Sequence, residues 1–271
     1  MLPIFFGAIM QKLTLMLFSE RRKMATFDPT KFIAPDAKPL PVILLLDVSG
    51  SMQGAKIQNL NIAVKDMVET FKNTENGEIE IHVAILTFGA EVKLHQVLAS
   101  AGCIKWYDLS ASGGTPLGTV FKMAKAMIED KNVVPSRAYR PTVILVSDGQ
   151  PTDKWEQPLN DFIDNGRSSK CDRMAMAIGA DADEGVLRKF VKGSKNPLFY
   201  AENAKHLSDF FQFVTMSTMI RTQSQDPNAL PDSSNVSIKP VTIDLRKEKL
   251  PQPPQQSGTV AKDNQANEGY W

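Results

Sequence analysis

The chain has 271 residues, 42% of them apolar, with 31 basic against 30 acidic side chains and a net charge of +1. That suits one large α/β domain with extensions rather than two complete domains, and the mixed charge builds no basic field for nucleic acid. Two distant cysteines, Cys103 and Cys171, are too few for a disulfide framework; both are expected to be ordinary buried residues in a reducing compartment, the cytoplasm.

The first stretch, "MLPIFFGAIMQKLTLMLF", is apolar but broken by Gln11 and Lys12, and its positive charges ("ERRK") follow it. A signal peptide places charge first, and a membrane span needs about 20 apolar residues, so neither is expected. Residues 1–38 read as an N-terminal extension, with a soluble start at Met24 ("MATFDP"). From Pro41, "PVILLLDVS" is a continuous apolar run, as in a strand covered on both faces. Ile57, Leu60, Val64, Met67, Val68 and Phe71 then recur at helical spacing. "EIEIHVAILTFGA" gives a second strand. The connection "GAE" is too short for a crossover, so "VKLHQVLA" should return antiparallel at the sheet edge.

The Gly-rich loop "DLSASGGTPLGT" opens a helix carrying Leu117, Val120, Phe121, Ala124, Met127 and Ile128. "RPTVILVSDG" follows as a buried strand, then a helix around Leu159, Phe162 and Ile163 and the strand "RMAMAIGA". A short helix through Val186 and Phe190, the strand "LFYAE" and a last helix from about His206 complete the alternation. The predicted class is α/β: a doubly wound, mostly parallel sheet with one antiparallel edge strand and helices on both faces, over residues 39–221. Residues 222–271, rich in Pro, Gln and Asn, read as a flexible polar tail, with "VSIKPVTIDL" as a short strand within it and Tyr270 and Trp271 as a docking tag or a plain end.

Ligands of an open parallel sheet bind beyond the carboxyl ends of its strands, where crossovers diverge. Asp47 ends the first strand, Asp148 ends a later parallel one, and Thr115 lies in a loop feeding the helix before it. With Ser49 and Ser51, the topology collects two carboxylates and three hydroxyls on one rim. Oxygen-only ligands select a hard cation, Mg²⁺, Mn²⁺ or Ca²⁺. Because few direct ligands are anionic, such an ion keeps room for a carboxylate from a partner. Gly50 lets both serines point one way, and Gly113, Gly114 and Gly149 allow close approach of the loops.

Other readings of these residues exist. Asp47 to Ser51 also suits a helix cap. "GGTPLGT" has P-loop spacing between Gly113 and Gly118 but lacks the phosphate-binding Lys, and Pro116 removes an N–H. A serine hydrolase would need a Gly-x-Ser-x-Gly elbow and a nearby His; His82, His95 and His206 all lie outside the site loops, and His82 reads as structural. A phosphoryl-accepting Asp normally has a general acid two residues on, where this chain has Ser49. Trp155, in "TDKWEQ" with Asp153, is either a partner contact or packed on the sheet rim.

"DVSGS" (Asp47, Ser49, Ser51), "GGTPLG" (Thr115) and "SDG" (Asp148) together resemble the von Willebrand factor A (vWA) domain family and its metal-ion-dependent adhesion site. The likeness runs from about Pro41 to Ile220. "LLLDVSGSMQGAKIQNLN", "GGTPLG" and "LVSDGQPTD" are most similar to the compact bacterial vWA proteins of the TerY type, associated with tellurium-resistance and stress-response gene clusters. The resemblance implies a non-enzymatic, metal-dependent scaffold or regulatory module. Its partner would present Asp or Glu, and a protein kinase and a metal-dependent phosphatase are the implied associates. The rival functions are a metal-dependent phosphohydrolase and a substrate adaptor for an AAA-type ATPase.

Overall fold

The computed structural model describes residues 37–74 and 79–231, with Pro240 and Thr242. The expected N-terminal extension ahead of Ala37, the strand "VSIKPVTIDL" (bar those two residues) and the terminal Tyr270 and Trp271 lie outside the described residues.

Six strands, β1 (Lys38–Asp47), β2 (Ile79–Phe88), β3 (Val92–Ser100), β4 (Thr142–Ser147), β5 (Asp172–Ile178) and β6 (Leu198–Ala201), form one sheet in the order β3-β2-β1-β4-β5-β6. Every pairing is parallel except β2 with β3, which returns antiparallel at the edge as its three-residue connection requires. The helices are α1 (Ala55–Lys72), α2 (Leu117–Glu129), α3 (Glu156–Asp164), α4 (Glu184–Val191) and α5 (Ala204–Gln223).

β1 is apolar throughout because both its faces are covered. Val42, Leu44 and Leu46 pack with α1 and α5, while Ile43 and Leu45 pack with α2, α3 and α4. All five are fully buried, and the alternation follows from the two-residue period of a strand. Pro39 and Pro41 are tolerated in this central strand because β4 begins pairing only at Val42. The α2 face is stiffened by Phe121, Phe162 and Phe190, whose ring centroids stand 5.8 to 6.2 Å apart.

Three expectations are corrected or resolved. α5 runs to Gln223, past the expected domain end at 221, and the residues after it turn back so that Pro227 O meets Arg221 and Asn228 meets Arg140. The cause is Arg221, whose side chain is buried. Its Nε donates to Pro227 O (2.8 Å), Nη1 to Thr142 Oγ1 (2.7 Å) and Nη2 to Arg140 O (2.6 Å). Asn228 Oδ1 also accepts from Arg140 N at 2.7 Å. Of the cysteines, Cys171 is buried as expected, but Cys103 is exposed, since it sits in a short turn (Ala101–Cys103) leaving the edge strand. Trp155 packs partly buried against the α2-side core, with Lys189 Nζ 5.4 Å from its ring centroid.

Candidate metal centre

The switch point of this sheet lies between β1 and β4: the chain leaves β1 for β2 through α1 on one face, and leaves β3 for β4 through α2 on the other. Asp47, Ser49, Ser51, Thr115 and Asp148 all come to the rim there.

Asp47 is fully buried at the end of β1. Its Oδ1 accepts from Ser49 N (2.8 Å) and its Oδ2 from Ser147 Oγ (2.6 Å). Burial holds the carboxyl above the usual Asp range, against the pull of the Ser147 and Ser49 hydrogen bonds. Ser51 Oγ donates to Asp148 Oδ1 at 2.6 Å and lies 2.9 Å from Ser49 Oγ. A hydroxyl has one proton. Ser51 gives its own to Asp148, so the Ser49 hydroxyl, which also faces Asp47, is left with one proton to share between Ser51 and Asp47. Asp148 is fully buried, and its Oδ2 accepts from Lys56 Nζ of α1 at 2.5 Å.

Thr115 completes the set. A Cβ built on Gly149 would lie 3.0 Å from Thr115 Oγ1 and 3.5 Å from Ser51 Oγ, so the two hydroxyls flank one spot from different loops. Thr115 is 4% exposed as a residue, and among the described residues its Oγ1 makes no hydrogen bond; no buried side-chain oxygen there lacks a partner, so this atom opens to the rim surface. An idle oxygen, a pair of carboxylates and two more hydroxyls make a donor set that fits a hard divalent ion and offers nothing to a soft one. Among the described residues no three His, Cys, Asp or Glu side chains cluster in a way that could hold a metal ion; the donors at the rim are mostly hydroxyls.

The loops are held together by backbone. Gly50 N donates to Gly113 O (2.8 Å), Val48 N to Phe88 O (2.8 Å), Ser112 N to Val48 O (2.7 Å) and Ala90 N to Ser112 O (2.8 Å). This packing demands Gly113, which has φ 78° and whose Cβ would strike the Ala90 backbone, and Gly89, whose Cβ would strike Ser112 O and Val48 O. The Thr115 loop is fixed in turn by Thr152 Oγ1, which accepts from Thr115 N (3.0 Å), and by Asp153. That carboxylate takes Gly118 N (2.7 Å), Thr119 N (2.8 Å) and Thr119 Oγ1 (2.8 Å), capping α2 from 34 to 35 residues away. Leu109, in the preceding loop, exchanges two hydrogen bonds with Asn61 of α1.

Sequence reasoning missed Lys56, Gly89, Ser147 and Thr152 as members of this structure, and it saw Asp153 only as a neighbour. Of the histidines, His82 bonds Glu80 at 2.8 Å. His95 lines a cavity of about 240 Å³ that also touches Val48 and Ser112, and burial lowers its pKa below the ordinary value.

An open, doubly wound sheet with an all-oxygen cluster at its switch point defines a class of α/β domain that binds ligands at one rim. The chain belongs to the von Willebrand factor type A domain family, whose sequence model matches residues 42–213. It is 28% identical over 205 residues to inter-alpha-trypsin inhibitor heavy chain H4 of Sus scrofa, covering 68% of this chain and 21% of that protein. The Bos taurus protein of the same name is 24% identical over 211 residues, covering 73% and 23%. The chain thus spans under a quarter of the length of these relatives. Among solved structures, a von Willebrand factor type A protein from Catenulispora acidiphila aligns with a TM-score of 0.54 at 19% identity, over 68% of this chain and 43% of that one. The pilus adhesin SpaC of Lactobacillus rhamnosus GG aligns with a TM-score of 0.54 at 16% identity, over 69% and 30%. Both likenesses concern the fold.

Proposed function

We propose that the rim binds one divalent cation, Mg²⁺ first and Mn²⁺ or Ca²⁺ as substitutes, and that the domain uses it to capture a protein partner. Ser49, Ser51 and Thr115 are the neutral ligands; Asp47 and Asp148 act directly or through water. When bound, the ion supplies a positive centre on which a partner's Asp or Glu carboxylate completes the coordination. The carrying observation is the convergence of Ser51 and Thr115 on the Gly149 position, beside a hydroxyl chain running from Ser49 through Ser51 to Asp148.

The role is recognition rather than catalysis. Domains of this family commonly mediate protein–protein interaction. A phosphohydrolase using Asp47 as phosphoryl acceptor would need a general acid two residues on, and Ser49 there cannot serve at neutral pH. The run "LLLDVSGSMQGAKIQNLN" supports a place in a bacterial stress or tellurium-resistance system, beside a protein kinase and a metal-dependent phosphatase. Two free thiols fit a reducing, cytoplasmic setting. No helix among the described residues is long and apolar enough to cross a membrane. Adaptor service to an AAA-type ATPase would use the same contact with different partners.

The test is affinity capture from lysate with Mg²⁺ or EDTA, read by mass spectrometry, using the wild type, Asp47→Ala and Thr115→Ala. The expected result is a set of proteins retained by the wild type in Mg²⁺ and lost with EDTA and in both variants. Identical sets in all arms would refute the metal bridge; an ATPase among the retained proteins would favour the adaptor role.

A further inference from the structure

We infer that Lys56 is a positioning residue that sets the cation affinity of the rim and keeps the loaded site attractive to a carboxylate. This rests on the metal reading proposed above. Lys56 is the second residue of α1, and the first turn of that helix carries no acidic residue. A cation there opposes the positive end of the helix dipole, so something outside the helix must hold it. Asp148 does so: the Lys56 ammonium sits on Asp148 Oδ2, while Oδ1 of the same carboxylate faces Ser51. The Lys56 side chain is 33% exposed against 0% for Asp148, so one member of the pair is desolvated and the contact is only partly screened. Gly179 lies against the lysine, where a Cβ would meet its Cε and Nζ at 3.6 Å, an ordinary contact.

The geometry has two consequences. Pinning Oδ2 leaves only Oδ1 turned toward the hydroxyl cluster, which fixes how Asp148 can take part. The charge balance follows as well. Asp47 and Asp148 alone would neutralise a divalent ion, whereas with Lys56 the loaded site stays net positive. A net positive site attracts an incoming Asp or Glu, at the expense of weaker binding of the ion itself.

The experiment is calorimetric titration of Mn²⁺ into the full chain as wild type, Lys56→Gln, Lys56→Met and Lys56→Arg, with melting curves in EDTA as a fold control. Lys56→Gln keeps a donor for Asp148 Oδ2 and removes the charge. It is expected to bind Mn²⁺ about tenfold more tightly than the wild type, with Lys56→Met moving the same way and Lys56→Arg staying within about twofold. Unchanged or weaker Mn²⁺ binding by Lys56→Gln, with the wild type binding normally, overturns the role of Lys56 and leaves the metal reading standing. No Mn²⁺ binding by any of the four proteins overturns the metal reading and this inference with it.

Discussion

Ser147 Oγ donates to Asp47 Oδ2 across 2.6 Å, tying together the ends of two neighbouring parallel strands 100 residues apart in sequence. The bond partly offsets the cost of ionising a carboxylate buried at the switch point; burial still raises the Asp47 pKa. A folded pKa above the unfolded value means stability that is present at low pH and lost as pH rises through the folded pKa. In EDTA, ionisation of Asp47 therefore weakens the fold. Asp47→Asn is expected to stabilise the metal-free protein by about 1 kcal/mol at pH 7. The gain should vanish as pH falls below the ordinary Asp value of 3.8. Urea unfolding of both proteins across that range checks the sign.

Gly113 is a tight point of the rim. With φ 78° and a virtual Cβ 2.3 Å from the Ala90 backbone, Gly113→Ala must push apart the Ala90 and Ser112 loops of the site. The expected cost is at least about 2 kcal/mol in urea unfolding. Gly54 has a similar φ of 79° but nothing within 4 Å of its virtual Cβ, so Gly54→Ala is strained without collision and should cost less.

Arg221 anchors the far end of the domain. Arg221→Met keeps much of its volume but strands the acceptors Pro227 O, Arg140 O and Thr142 Oγ1. A loss of about 3 kcal/mol is expected, with faster amide exchange over residues 224–231 and unchanged exchange at the Asp47 rim.

The two thiols should behave oppositely. Exposed Cys103 is expected to react with a thiol reagent in the folded protein, and buried Cys171 only after unfolding. Burial pushes the Cys171 thiol up from 9.0 to about 12. A raised folded pKa again means stability lost with rising pH, here because the unfolded thiol ionises first. Above pH 9 the wild type should lose about 1.4 kcal/mol per pH unit relative to Cys171→Ala, seen as diverging unfolding midpoints.

What the sequence revealed and what it hid divide along physical lines. The apolar run Pro41–Leu46 announced a doubly covered strand, and the three-residue link after Phe88 forced an antiparallel edge; both signals are local. The rim itself was legible because the topology of an α/β sheet places the ends of β1 and β4 side by side whatever the side chains are. Its supports were not legible, because each couples distant residues through side-chain reach. Lys56 meets Asp148 from 92 residues away, Asp153 caps a helix starting 36 residues earlier, and Arg221 finds Thr142 across 79. No spacing rule connects such pairs. Lys56 even breaks a local rule by placing a cation in the first turn of a helix. That violation was the available clue. Ser147, adjacent to Asp148 at the end of a strand, was a second.

The central claim is that hydroxyls from two loops and two carboxylates share one hard ion. Calorimetric titration of Mn²⁺ into the wild type and Thr115→Ala tests it most directly, since Thr115 Oγ1 is the one oxygen of the set with no hydrogen bond to lose among the described residues. The account predicts a single site in the wild type and binding weakened at least about tenfold in Thr115→Ala, with the melting temperature in EDTA unchanged. A wild type that takes up no Mn²⁺, or a Thr115→Ala protein that binds it equally well, would contradict it.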